Sequence, residues 1–230
     1  MRRFFLFPAI AIVTLVGGMH AAMAQTNFKK ADNVEALRDK GVAVQAVTPV
    51  YGQLIMYTIP KGFSPARQNV IGPSYIQELL PKGQKLTAWT EMITLSGAAG
   101  AAQRPNASAE GLVTLLAGGF QGACPDSFAG EGLTEFKING HDVYVAVTGC
   151  GTLGTAPNAF SEMALIVAIK GKTDMYTLQW AERGKPSAKP IAIQKDKWAE
   201  RFKKLMPVKL CPIVPNEKAP YPSCIAQKVE

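Results

Sequence analysis

The chain has no C-x-x-C pair, no G-x-S-x-G turn and no G-x-x-x-x-G-K-[ST] loop. Those absences remove the usual zinc ribbon or redox dithiol, the serine-hydrolase elbow and the Walker phosphate cradle. The run Gly149-Cys150-Gly151-Thr152-Leu153-Gly154 is glycine-rich. No helix start follows it to receive a phosphate, so it reads as a strand end that holds a disulfide. Histidine is scarce: His20 and His141 are the only two. A Ser-His-Asp triad would need His141, which follows an Asn-Gly turn and reads as a solvated turn residue rather than a general base. Beyond residue 24 no apolar run is long enough to cross a bilayer.

What the sequence does contain begins at its first residue. Met1-Arg2-Arg3 is a cationic start, Phe4 to Val16 an apolar run, and Ala22-Met23-Ala24 a small-x-small end. That order is a secretory signal peptide, with cleavage expected after Ala24 and a periplasmic or secreted product. The apolar run is too short for an anchor, and Gly17-Gly18 and His20 interrupt it. Gln25 rather than cysteine follows, which excludes a lipoprotein. Arg2-Arg3-Phe4-Phe5-Leu6 also resembles a twin-arginine core, so the choice between general and twin-arginine export stays open.

Export fixes how the cysteines read. Cys124, Cys150, Cys211 and Cys224 are an even set bound for an oxidising compartment, which implies two disulfides. Three pairings are possible. Cys124–Cys150 and Cys211–Cys224 are favoured because each encloses one plausible unit, worth about 3 kcal/mol by chain entropy. Metal and cofactor sites are not expected. The net charge of +8 falls to +6 without Arg2 and Arg3. Lys195, Lys197, Arg201, Lys203, Lys204 and Lys209 form the densest basic group, read as a solvated face. Nucleic acid does not suit an exported chain.

Four regions are expected: a signal peptide over 1–24, an arm over 25–50, an α+β domain over 51–207 and a Pro-rich, disulfide-closed tail over 208–230. Phe28 to Lys40 reads as a short helix or loose arm, and Val42 to Val50 is β-rich. Strands are expected over Leu54 to Ile59, Tyr75 to Leu80 and Thr87 to Leu95, the first two stopped by Pro-Lys-Gly turns and the third broken by Gly97 to Ala102. Leu112, Leu115, Leu116 and Phe120 fall at helical spacing, with Asn106 or Ser108 as cap. Asn139-Gly140 sets a hairpin between Gly132–Ile138 and His141–Thr148. A second hairpin turns at Gly171, between Met163–Ile169 and Met175–Trp180. Trp198, Phe202, Leu205 and Met206 make one stripe of a helix over Gln194 to Leu205, stopped by Pro207. The order predicts an antiparallel sheet flanked by helices, an α+β fold.

For chemistry, only carboxylates remain. Glu91 alternates onto the face of Trp89, Ile93 and Leu95, and Glu162 lies at a strand edge, so these two are the candidates for an acid or base.

Tyr57-Thr58-Ile59-Pro60-Lys61-Gly62-Phe63 resembles the opening strand and turn of the PsbP-like family. Trp198-Ala199-Glu200-Arg201-Phe202-Lys203-Lys204-Leu205 resembles its closing helix. Between them, Tyr75 to Gly83 and Trp89 to Thr94 resemble uncharacterised secreted bacterial proteins of similar architecture. The resemblance implies a PsbP-like α/β/α sandwich and an accessory role, with no catalytic residue to carry over. The expectation is therefore an exported, non-catalytic accessory or binding protein whose partner is an envelope protein or small ligand. Its contacts would lie on the sheet or on the loops Gly97–Pro105 and Cys124–Gly130. The alternative is a small envelope hydrolase using Glu91 or Glu162.

Overall fold

The computed structural model describes residues 42–227. The signal peptide expected over residues 1–24 and the arm or helix expected over 28–40 lie outside the described residues. Strand β1 (Val44–Val50) turns at Tyr51-Gly52 and pairs with β2 (Gln53–Ile59), so the β-rich stretch grouped with the arm is a strand of the domain. β10 (Lys209–Pro212), inside the tail, pairs with the other edge of β2. Every residue of β2 is buried. Ile55, Tyr57 and Ile59 enter the main core, while Leu54 and Met56 pack against Cys211 and Cys224 on the opposite side. A centre strand covered on both faces reads as a continuous apolar run, as Leu54 to Ile59 does.

The large antiparallel sheet has seven strands. Their spatial order is β3 (Phe63–Ile71), β4 (Ser74–Pro81), β5 (Glu91–Ala98), β9 (Met175–Gly184), β8 (Phe160–Lys170), β7 (His141–Leu153) and β6 (Phe128–Ile138). One strand was not read from the sequence, and two local expectations are corrected. β3 was not foreseen, because Pro65 argues against a strand. It lies on an edge with a register shift at Pro65/Arg67, where a missing N–H is tolerated. β5 starts at Glu91 and not Thr87, because the Gln84 side chain holds the Thr90 N–H and hydroxyl in the preceding loop. Gly97 does not break β5: a Cβ there would stand 2.6 Å from Val50 Cγ1, so the glycine lets the small sheet close on the large one.

One face of the large sheet, through Leu79, Ile93, Leu95, Val145, Leu165, Leu178 and Trp180, packs against β2 and α2 (Lys195–Leu205). Trp198 and Leu205 are the buried residues of α2, with Phe202 and Met206 partly covered beside them. The other face offers Ala146, Ala164, Ile166 and Ala168 to α1 (Ala109–Ala123). Ser108 caps α1, its Oγ accepting from the Gly111 N–H at 2.9 Å; Asn106 sits in the preceding turn. At the β6–β7 turn Asn139 and Gly140 have φ of 50° and 79°, the sign a type I′ turn requires.

Cys124, just past α1, is bonded to Cys150 in β7, and Cys211 in β10 to Cys224 in α3 (Pro222–Ala226). Buried Lys209 fixes the tail further, its Nζ donating to the carbonyls of Cys224, Ile225 and Gln227. The glycines flanking Cys150 serve close packing. A Cβ on Gly149 would lie 2.1 Å from the Glu162 carbonyl, and one on Gly151 2.4 Å from those of Ser187 and Lys189. Among the described residues no helix is long and apolar enough to cross a membrane.

Candidate functional site

Pro60-Lys61-Gly62 turns the chain from β2 into β3, with Gly62 at φ 87°. The turn carries Phe63 into the core, edge-on to Trp180 with ring centroids 5.2 Å apart. Opposite, the second half of α2 ends at Met206, whose carbonyl accepts from the Thr58 hydroxyl at 2.7 Å. That bond ties the end of α2 to β2. Between turn and helix lies a cavity of about 500 Å³, within the range of small-molecule sites. Pro60, Phe63, Trp180 and Met206 give it apolar walls, and Lys61, Lys203 and Lys204 surround it. These three lysines are exposed and form no ion pair among the described residues. The basic group read as a solvated face is thus divided in use. Lys195 pairs with Glu131, Lys197 with Glu182, Arg201 with Glu91 and Glu182, and Lys209 is buried.

Glu91 lines this cavity. Arg201 Nη2 stands 2.7 Å from its Oε1 and 2.7 Å from Oε1 of Glu182, and Arg201 Nε donates to Glu182 at 2.9 Å. The guanidinium carbon lies 4.5 Å from the centre of the Trp180 ring. Glu182 was not singled out from the sequence. It stands opposite Glu91 in the β5–β9 register, a partnership visible only once the strands are paired.

Glu162 is elsewhere. It alternates with Met163 of the main core and so faces the α1 side of the sheet, where it accepts from Arg183 Nε at 2.8 Å. Arg183 lies over Trp89 at 3.7 Å and Phe160 at 4.0 Å. Glu91 and Glu162 therefore occupy opposite faces, each engaged by its own arginine, and do not share a cleft.

His141 is not the solvated turn residue expected. It is half-buried, with Nε2 3.3 Å from Gln53 Nε2 and Nδ1 3.2 Å from the Lys170 carbonyl, joining the two sheets. The loops named as contact candidates are also tied into the fold. Gly100 N–H donates to Asp174 at 2.7 Å and Ala102 N–H to the Thr173 carbonyl at 3.1 Å; the Ser127 carbonyl accepts from Gly151 N–H at 2.8 Å.

Asp174 is a buried carboxylate that sequence reasoning missed. Besides Gly100 it accepts from Thr173 Oγ1 at 2.9 Å, Tyr176 Oη at 3.3 Å and the Gly52 N–H at 3.4 Å. Burial alone would raise its pKa. The four donors outweigh burial and hold it below the ordinary carboxylate value. A second cavity, of about 430 Å³, lies at the start of α1. Its cations are engaged, Lys137 by Asp142 and Lys170 by the Ala107 carbonyl. No group of three or more His, Cys, Asp or Glu residues able to hold a metal occurs among the described residues.

No protein-family model matches this chain, and no curated protein sequence does. Among solved structures it is similar to the Ran-binding protein Mog1p of Saccharomyces cerevisiae. The identity is 13% and the TM-score 0.38, over 72% of this chain and 86% of the other. A likeness that loose carries nothing about partners.

Proposed function

We propose that this chain is an exported, non-catalytic binding protein of the cell envelope, and that the lysine-rimmed cavity between the β2–β3 turn and α2 is its contact site. The carrying observation is the disposition of charge. Glu91 is bound by Arg201, while Lys61, Lys203 and Lys204 are left to solvent around apolar walls. Such a site is equipped to attract and hold, and has no unengaged acid or base among the two carboxylates singled out. Two disulfides suit an oxidising compartment, and the signal-like residues 1–24 supply the route. We also take the arrangement of antiparallel sheets and helices as PsbP-like in kind, an accessory scaffold with no cofactor of its own. The partner is an envelope protein or a small ligand.

Native mass spectrometry of the protein released by osmotic shock tests this reading. A chain shortened by residues 1–24, with both disulfides formed and an envelope component bound, is the expected result. Retention inside the cell with residues 1–24 intact, or release as a bare polypeptide, would count against it.

A further inference from the structure

Resting on that reading, we propose that the cavity takes a small amphipathic anion: an oxyanion head, carboxylate or phosphate, carried on a short acyl body. The lining gives four cations, Lys61, Arg201, Lys203 and Lys204, against one carboxylate, Glu91. Arg201 is saturated by Glu91 and Glu182, so it is not available to the ligand. The lysines are. They present mobile point charges on flexible stems, suited to a head group held at the mouth rather than locked in a planar fork. Behind them the half-buried Met206 offers apolar surface, with the buried Pro60, Phe63 and Trp180 beneath it, against which an acyl body would pack.

A bare anion would leave the apolar walls unused. A neutral or cationic amphiphile would leave three lysines unanswered or repelled.

The test is calorimetric titration of the purified protein with decanoate, decyl phosphate, decyltrimethylammonium and inorganic phosphate. One decanoate or decyl phosphate per chain is expected. Decyltrimethylammonium and inorganic phosphate should bind at least about tenfold more weakly, a difference of about 1.4 kcal/mol. The pair K61E/K204E should weaken decanoate by about tenfold or more. K61E alone, in a turn outside any helix, should weaken it in the same direction without lowering Tm. Decanoate no tighter than the cationic chain, phosphate as tight as decanoate, no binding of either chain anion, or affinity unchanged in the lysine variants would each overturn the proposal. None of these results touches export or the capture of an envelope protein, which the mass measurement above reads separately.

Discussion

Arg201 donates to Glu91 at 2.7 Å across 110 residues of chain. The bond joins α2, near the end of the domain, to the first residue of β5, and Glu182 on β9 shares the same guanidinium. The closing helix is thereby held over the sheet by charge as well as by Trp198 and Leu205. It also turns Glu91 from a candidate acid into one half of a clamp that shapes the cavity floor.

Removing the clamp should cost stability. Arg201→Met would leave partly buried Glu91 without its cation, facing a Glu182 held by Lys197 alone. Breaking such a pair from one side should destabilise by about 2–3 kcal/mol, read as a lower urea midpoint. Arg201→Lys should recover only part, because one ammonium cannot fork between two carboxylates. A midpoint unchanged in Arg201→Met would mean that the helix is held by packing alone.

Acid should loosen the end of the sheets where Asp174 sits. Its pKa is held below the ordinary value of about 4, so its contribution is complete above that pH and disappears as pH falls through the lowered value. Asp174→Asn should cost about 1–3 kcal/mol at pH 7, since an amide cannot accept from all four donors. It should also flatten the decline in stability below pH 4. Parallel acid profiles for the two proteins would show that other carboxylates dominate.

Alkali should act through tyrosine. Burial pushes Tyr75 up to about 12. In the unfolded chain it ionises near pH 10, so its share of stability is intact below about 10 and is lost between there and about 12. Its hydroxyl is buried with no partner among the described residues. Tyr75→Phe should therefore be neutral or stabilising by about 1 kcal/mol at pH 7, with a shallower loss above pH 10. Destabilisation at pH 7 would contradict this.

Two glycines should respond oppositely to alanine. Gly149→Ala meets the Glu162 carbonyl backbone at 2.1 Å and should cost about 3 kcal/mol or abolish folding. Gly118, inside α1, has nothing within 4 Å of a Cβ, and Gly118→Ala should gain about 0.5–1 kcal/mol. Thermal melts of the two variants decide it.

Local signals were the legible part of this fold. Asn139-Gly140 marks its turn by the left-handed backbone it needs, and Ser108 marks its helix by the N–H it caps. The stripe of Trp198, Phe202 and Leu205 marks the face of α2. Where a residue's role depends on a distant partner, the sequence was mute. β3 is almost wholly exposed and carries Pro65, so neither alternation nor propensity marks it. β10 is four residues long and exists because β2 offers an edge. Glu182 and Asp174 matter because strand pairing brings Arg201, Gly52 and Gly100 to them. The cavity is of that second kind: Lys61 is visible as a turn residue and Lys203 as a helix residue, but their convergence is not.

The central claim is that this convergence is where the protein binds. Its most direct test places a photo-cross-linking residue at position 204 and, as a control on the far side of the sheet, at exposed Leu115. Irradiation is done in intact cells expressing each variant. The account predicts one discrete adduct of an envelope component from position 204, lost when K61E is added, and none from position 115. Equal adducts from both positions, or an adduct from 204 that survives K61E, would contradict it.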